Sequence, residues 1–289
     1  MRWFIPRDKA WKTPYPLPAD TADTVMADDG GACDNFGLLL DRYVAYSESK
    51  GGMQLVREFA DRRVLVPRFK DQPEMFEAYR QRWQDQAESL EAVTFTAHPH
   101  WRVIVGLSNN AVLETGMTVH PVFGFPVIPG SCLKGVARSY ATHVAEEPAD
   151  HIDVQFGWQS DDQSGCGNLV FLEGGPVVPP WIDRDVVSPV FGEYYHGDSP
   201  PAGYLSPNPF FFLALGRRSR YQFGVASLDG DREAAEEGSR WLRGALEQIG
   251  VGAKTAAGYG YWVIEPDASS GRAILPRLAV EALTGVSSF

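Results

Sequence analysis

Hydrophobic residues recur at helical spacing in two segments of the first third of the chain. The segments are FGLLLDRYVAYS (36–47) and QPEMFEAYRQRWQDQAESLEA (72–92), and this spacing predicts a helix in each. The second segment has a proline near its first turn, as helices often do. Its apolar stripe consists of Met75, Phe76, Tyr79 and Trp83. We expect this aromatic stripe to pack on a core.

Beyond residue 92 the pattern changes to short alternating or continuous apolar runs, which predict strands. They are VTFTAHPHWRVIVGL (93–107), GNLVFLEG (167–174), PFFFLALG (209–216), SRYQFGVAS (219–227) and GYGYWVIEP (258–266). The third and fourth runs are joined by a tight connection at Arg217 and Arg218, so we expect them to pair. Helical spacing predicts helices from about Leu133 to Ala145 and from about Arg232 to Ile249. Gly250 suits the end of the second of these helices.

The order of elements is strand, helix, strand, strand pair, helix, strand. This is the βαββαβ pattern of an α+β, ferredoxin-like domain with insertions. We therefore predict an N-terminal extension over residues 1–90, with helices packed on the core, and a ferredoxin-like domain over residues 91–289. An acidic insertion is expected around residues 141–210.

Composition sets the class of protein. The chain has 289 residues, 44% hydrophobic and 22% charged, which is typical of a soluble globular protein. No apolar run approaches the ~20 residues of a membrane span. Cys33, Cys132 and Cys166 are far apart and form no C-x-x-C motif. They argue against disulfides and a zinc site, and they favour a reducing cytoplasm.

The net charge of −11 is unevenly distributed. Residues 141–200 contain eleven acidic side chains and a single basic one, Arg184. The rest of the chain is therefore almost neutral, and basic residues are clustered there. The acidic segment is either a solvated insertion or a face that meets a basic partner. Either interpretation leaves room for a nucleic-acid partner elsewhere on the surface.

The first candidate site lies in PVIPGSCLKG (126–135), where a helix is expected to start. Lys134 lies in the first turn, where a cation normally costs ~0.3–1 kcal/mol. Ser131 is a natural N-cap, and Lys134 shares a face with Arg138. Leu133, Val136, Tyr140 and Val144 form the face expected to pack on the sheet. The alternatives are a phosphate site or a capped helix with solvent-facing basic residues.

The second candidate site is GVGAKTAAGYG (250–260), with four glycines around Lys254 and Thr255. It is not a nucleotide-binding P-loop, because Ala253 precedes the lysine and the loop runs from helix to strand. Its glycines let the backbone approach a polyanion closely. An ordinary loop between a helix and a strand is the alternative.

Together the two motifs resemble the RAMP (repeat-associated mysterious protein) superfamily. LETGMTVHPVFGFPVIPGSCLKGVAR (113–138) resembles the P-x-I-P-G-S-S-L-K-G-x-x-R signature, and GVGAKTAAGYGYW (250–262) is similar to the C-terminal glycine-rich loop. RDVVSPVFGEYYHGDSPP (184–201), followed by NPFFFLALG, resembles the family of sixth subunits of the Cmr (type III-B CRISPR) effector. The resemblance covers residues 93–265. The chain departs from these patterns at Cys132 and Val190, where serine and histidine are usual.

The resemblance implies an RRM-related, ferredoxin-like fold that binds guide RNA near its 3′ end as one unit of a filament. It implies guide RNA, target RNA and other Cmr-type RAMP subunits as partners, and no cofactor or metal. The RNA-binding residues expected are His120, Gly130, Ser131, Lys134, Arg138, Gly252, Lys254, Thr255, Gly258 and Tyr259. Related subunits cut RNA with an aspartate after the first strand. Here Glu114 is the only carboxylate from Ala92 to Ala145, so no catalysis is expected.

Two other functions remain open. RAMP proteins include metal-independent endoribonucleases that process CRISPR transcripts with a histidine as general base. The candidates here are His98, His100, His120 and His143. The other alternative is a protein-only interaction module that uses the acidic segment 141–200.

Overall fold

The computed structural model describes residues 35–41, 46–49, 52–55, 73–108, 115–160, 162–188, 200 and 210–266. The helices are α1 Phe36–Asp41, α2 Pro73–Ser89, α3 Gly130–His143, α4 Ala149–Phe156 and α5 Arg232–Gln248, with a 3₁₀ turn at Thr255–Ala257. The strands are β1 Tyr46–Ser49, β2 Gly52–Leu55, β3 Val93–Pro99, β4 Gly157–Gln159, β5 Ser164–Cys166, β6 Leu169–Phe171, β7 Gly175–Pro176, β8 Ile182–Val187, β9 Phe210–Leu215, β10 Tyr221–Ser227 and β11 Trp262–Ile264.

The central sheet has the strand order β11–β3–β10–β6, and β7 also pairs with β10. All neighbouring strands are antiparallel, with Phe223 opposite Phe95 in the middle of the sheet. Because β3 and β6 both run antiparallel to β10, their carboxyl ends lie at the same edge of the sheet. The prediction of a mixed helix-and-sheet domain is confirmed.

Helices α3 and α5 cover one face of this sheet. Helix α3 buries Leu133, Ala137 and Ala141, and α5 buries Trp241, Leu242 and Leu246 against the same core. Val136 and Tyr140 are partly buried, as predicted for this face. The prediction is wrong for Val144, which is 44% exposed because the helix ends at His143.

Helix α5 begins and ends where its sequence indicates. The Asp231 side chain accepts hydrogen bonds from the backbone N–H groups of Glu233 and Ala234, at 2.9 and 3.3 Å. These bonds satisfy donors of the first turn that have no partner within the helix. After the helix, Gly250 adopts a left-handed φ of 77°, which glycine accepts without strain.

Helix α2 covers the opposite face of the sheet, and its aromatic stripe forms a second core. Phe76, Tyr79 and Trp83 are buried, whereas Met75 is partly exposed. The indole Nε1 of Trp83 donates to the carbonyl of Glu173 at 2.8 Å. A Cβ at Gly224 of β10 would lie 3.4 Å from the Trp83 ring, which shows how closely the helix approaches the sheet. Both faces of the sheet are therefore covered.

Two predicted elements are wrong. The predicted helix over 36–47 ends at Asp41, and Tyr46–Ser49 is a strand that pairs with β2. The predicted pairing of 209–216 with 219–227 does not form, since β9 pairs with β8 instead. The physical reason is that both edges of β10 are occupied, one by β3 and the other by β6 and β7. Among the described residues, no helix is long and apolar enough to cross a membrane.

Candidate nucleic-acid interface

The start of α3 is shaped by Gly130. The helix begins there, and its N-cap is Pro129, which provides no side-chain hydrogen bond. A Cβ at Gly130 would lie 2.2 Å from the carbonyl oxygen of Phe171, at the end of β6. Ser131 is exposed and lies inside the first turn, so the prediction that it is the N-cap is wrong. The N–H groups of this turn are left without a side-chain cap.

Lys134 and Arg138 differ in their surroundings. The Lys134 side chain is half-buried and forms no hydrogen bond or ion pair with any residue that the structure describes. Arg138 donates to the carbonyl of Gly157 at 3.2 Å and to the Asp153 carboxylate at 3.4 Å. This pair is about half exposed, so it contributes only ~0–1 kcal/mol and leaves Arg138 free to rearrange.

The glycine-rich loop between α5 and β11 adopts backbone angles that favour glycine. Gly250, Gly252, Gly258 and Gly260 all have positive φ, from 77° to 101°. A Cβ at Gly252 would lie 2.1 Å from the carbonyl oxygen of Ile104, and the N–H of Ala253 donates to that oxygen at 2.8 Å. The loop is thus held against the segment that follows β3.

Lys254 and Thr255 lie at the centre of this loop. Lys254 itself is left-handed, with a φ of 60°, and its carbonyl accepts the N–H of Ala257 at 2.9 Å. Its side chain is half-buried and forms no ion pair within the described ranges. Thr255 packs its methyl group inside the loop, where a Cβ at Gly250 would lie 3.3 Å from it. The hydrogen bonds of the loop therefore fix the backbone of Lys254, and its side chain has no carboxylate partner among the described residues.

Tyr259 ties the loop to β8. Its hydroxyl donates to the Asp185 carboxylate at 2.6 Å, and Arg102 donates to the same carboxylate at 2.6 Å. Burial alone would raise the pKa of Asp185, but hydrogen bonds from Tyr259, the Val186 N–H and Arg102 lower it overall. Burial and the neighbouring Asp185 raise the pKa of the Tyr259 hydroxyl. The hydroxyl of this predicted RNA-binding residue is thus engaged within the protein.

His120 supports a turn. Its Nδ1 accepts the backbone N–H groups of Val122 and Phe123, at 3.2 and 3.3 Å. The ring also contacts Tyr79 edge-on, with 5.7 Å between centroids. Of the other candidate histidines, His98 lies 3.5 Å from the Glu265 carboxylate. The described contacts do not join any of the four candidate histidines to another.

The two basic motifs lie at the same edge of the sheet. Gly130 contacts the end of β6, and the glycine loop contacts Ile104, just after β3. The intervening chain is connected by hydrogen bonds from the Thr118 N–H to the Val105 carbonyl, at 2.8 Å, and from the Val127 N–H to the Thr118 carbonyl, at 3.2 Å. No contact in the described part of the chain joins Lys134 directly to Lys254. Apart from His120, which lies in a separate turn against Tyr79, the predicted RNA-binding residues thus belong to two separate clusters at this edge.

Several residues at this edge were not predicted from the sequence. Arg102 pairs with both Asp183, at 3.2 Å, and Asp185. Trp101 and Trp181 are exposed beside it. The signal in the sequence for such residues was a tryptophan followed by an arginine, at positions 101–102, shortly after a strand. The carboxylates come from the acidic segment, about eighty residues away in sequence.

Comparisons with known proteins identify the class of protein to which this domain belongs. The family model of the RAMP superfamily matches residues 94–263, and the chain belongs to this superfamily. The chain is also similar to the CRISPR system Cmr subunit Cmr6 of Pyrococcus furiosus. The two are 26% identical over 247 residues, covering 65% of this chain and 72% of the relative.

One solved structure supports the fold, and a second is similar in sequence. A chain of the type III-B Cmr-beta complex bound to cognate target RNA superposes with a TM-score of 0.52 and 19% identity, covering 66% of each chain. The crystal structure of Cmr6 from Pyrococcus furiosus gives a TM-score of 0.39 and 26% identity, covering 60% of this chain and 98% of that one.

Proposed function

We propose that this chain is a non-catalytic structural subunit of a type III-B CRISPR effector that binds guide RNA near its 3′ end and contributes to antiviral defence. Guide RNA, target RNA and other Cmr-type RAMP subunits are its partners. Membership of the RAMP superfamily and the similarity to Cmr6 support this assignment. The Cmr-beta structure supports the fold.

The sheet is assigned as the ferredoxin-like sheet of the domain. In chain order its main strands are β3, β6, β10 and β11, so across the sheet the order is fourth, first, third, second. Helix α3 lies between the first two strands, and α5 lies between the last two. This connectivity is βαββαβ. The domain boundaries at residues 90 and 91, and the acidic insertion, remain predictions.

The observation that carries the RNA-binding proposal is the position of Lys134 and Lys254. Each lies beside backbone shaped for an anion, an uncapped helix start in one case and a glycine-rich loop in the other, and both are at one sheet edge. Helix N-termini and left-handed glycine loops bind phosphates through their N–H groups. Two phosphates of one strand are the ligand that this pair of sites fits.

The absence of catalysis is supported by the chain's own residues. The sequence between Ala92 and Ala145 contains no aspartate, and its only carboxylate, Glu114, lies outside the described residues. His120, the histidine of the family motif, uses Nδ1 to hold a turn. These features favour binding over cleavage.

The test is RNA binding by the purified full chain. Anisotropy titrations with labelled single-stranded RNA at several salt concentrations should show affinity that falls with salt and depends little on sequence. The log–log slope should be about −0.7 per phosphate neutralised. Incubation with repeat RNA in EDTA should leave the RNA intact. Cleavage there would favour the endoribonuclease instead, and salt-independent affinity would contradict phosphate recognition.

A further inference from the structure

Three segments meet at one surface patch that the family motifs do not include. It consists of Trp101 after β3, Trp181 before β8, and Arg217 and Arg218 in the turn between β9 and β10; we call it the tryptophan–arginine surface. The Arg217 guanidinium lies 5.9 Å from the centre of the Trp101 ring, and that of Arg218 lies 4.8 Å from the Trp181 ring. Four residues from distant parts of the sequence thus form one patch.

The backbone beneath this surface is firmly built. The N–H of Gly216 donates to the carbonyl of Trp181 at 2.7 Å. The fully buried Ser219 exchanges hydrogen bonds with the backbone of Trp181, at 2.9 and 3.1 Å. The Trp181 indole donates to Asp183 at 2.8 Å. The ring of Trp181 is therefore fixed in orientation before any ligand arrives, which lowers the entropy cost of binding.

Neither ring is buried. Trp101 and Trp181 are 41% and 42% exposed. Arg217 and Arg218 are exposed too, and neither forms an ion pair within the described ranges. The nearby carboxylates of Asp183 and Asp185 are already paired with Arg102. The surface therefore offers two partly exposed aromatic rings, each already in contact with a guanidinium group, since Arg102 also lies 4.6 Å from the centre of the Trp101 ring. Arg217 and Arg218 have no carboxylate partner among the described residues.

This combination suits unpaired nucleotides. Bases stack on exposed aromatic rings, arginine guanidinium groups stack on bases and contact phosphates, and neither contact requires a particular base. A neutral protein segment would use the rings but would leave the guanidinium groups without the bidentate anionic partners that phosphates provide.

The surface is also continuous with the glycine-rich loop. The carbonyl of Arg102, next to Trp101, accepts the N–H of Gly260 at 2.8 Å. The Arg102 side chain and the Tyr259 hydroxyl share the Asp185 carboxylate. A strand whose phosphate lies at Lys254 can therefore continue towards the two tryptophans.

We infer that the tryptophan–arginine surface stacks unpaired bases of the RNA strand whose phosphates bind the glycine-rich loop. This inference rests on the proposed RNA-binding function and adds to it a contact with the bases themselves. It assigns stacking to Trp101 and Trp181, and positioning and charge to Arg217 and Arg218.

The test compares two probes with the full chain: an oligoadenylate of about 12 nucleotides and an abasic ribose-phosphate chain of the same length. Trp101→Ala should weaken oligoadenylate binding about tenfold and leave abasic binding unchanged. Trp101→Phe should restore most of the loss, whereas Trp101→Leu, which keeps apolar volume without an aromatic face, should not. Trp158→Ala is the matched control, because Trp158 is 40% exposed but lies on β4.

The outcomes separate this inference from the proposed function. If wild type binds both probes equally and Trp101→Ala changes neither affinity, stacking is overturned while phosphate binding stands. If the wild-type chain binds neither probe, the stacking inference and the proposed RNA-binding function both fail. If Trp101→Ala leaves RNA binding intact but prevents co-purification with partner subunits, the surface binds protein, and the inference is again overturned. Circular dichroism melts establish that each variant is folded.

Discussion

The two basic motifs at the sheet edge use glycine in opposite ways. At the start of α3, Gly130 has ordinary helical backbone, and glycine is required because a neighbouring carbonyl lies 2.2 Å from where a Cβ would be. In the loop before β11, four glycines are required by their positive φ values. At one site glycine makes room for a neighbour, and at the other it allows the backbone to turn.

This difference indicates how each site presents its lysine. The helix start exposes N–H groups because of the regular geometry of a helix. The Lys134 side chain extends from the first turn of that helix. Apart from the 3₁₀ turn at Thr255–Ala257 the loop has no regular geometry, so its shape depends on individual residues. Gly252 combines both requirements, since its φ is 101° and its Cβ position is 2.1 Å from the Ile104 carbonyl. The loop should therefore be the more fragile of the two sites.

The largest effect is expected for Gly252→Ala. Backbone strain and the clash with the Ile104 carbonyl should together reduce the free energy of unfolding by roughly 3 kcal/mol or more. Gly258→Ala is the control, since Gly258 has a φ of 89° but open space around its Cβ position. It should cost about 1–2 kcal/mol. Urea denaturation measures both, and equal losses would mean that backbone angle alone sets the requirement.

Next in size are the effects of the lysines on RNA affinity. Lys134→Ala and Lys254→Ala should each weaken RNA binding by about 1–3 kcal/mol, the range for hydrogen bonds to charged groups. The double variant should show roughly the sum if each lysine meets a different phosphate. Anisotropy titrations at fixed salt provide the measurement.

The control for the lysines is Arg232→Ala. Arg232 also lies in the first turn of a helix, but α5 starts at the opposite edge of the sheet and has Asp231 as its cap. We expect no loss of RNA affinity for Arg232→Ala.

In the free protein, Lys134→Ala should leave the free energy of unfolding unchanged or raise it by ~0.3–1 kcal/mol, because a cation is removed from a helix N-terminus. Falling stability with unchanged RNA binding would rule out the phosphate-site interpretation.

The sequence predicts helices α2, α3 and α5 and the main strands of the central sheet. It misses α4 and the short strands outside that sheet, and it predicts strand partners poorly. Hydrophobic periodicity is strong in helices α2 and α5 and in strand β3, because each of them packs one face against a core. The pairing of β9 was mispredicted because a short connection indicates only proximity, while the edges of β10 were already taken by strands far away in sequence. Strand competition of this kind is not visible in a local pattern.

The same limit applies to the candidate site. The glycines and lysines are recognisable because their spacing is local. The partners of Arg138 and Tyr259 are Asp153 and Asp185, both from the acidic segment. That segment therefore neutralises some of the basic residues of the domain, a role that its charge count alone does not reveal. The predicted start of α3 at about Leu133 is three residues too late, because Gly130 is fixed by a tertiary contact with β6.

The smallest effect is expected for Gly135→Ala, next to Lys134. A Cβ there meets no atom within 4 Å, and the backbone is helical. Replacing a helical glycine by alanine should stabilise the fold by about 0.5–1 kcal/mol. Thermal melts should show this gain with RNA affinity unchanged. A gain in stability accompanied by weaker RNA binding would indicate that the RNA backbone lies directly against this turn.

The pairing of β3 also has a consequence for synthesis on the ribosome. Its two partner strands, β10 and β11, both lie more than a hundred residues further along the chain. At ~5–20 residues per second, the nascent chain carries β3 with both edges unpaired for several seconds. Such a strand is a template for pairing with other chains. Chains truncated before β10 should therefore aggregate, and productive folding should begin only after translation of residues 221–227.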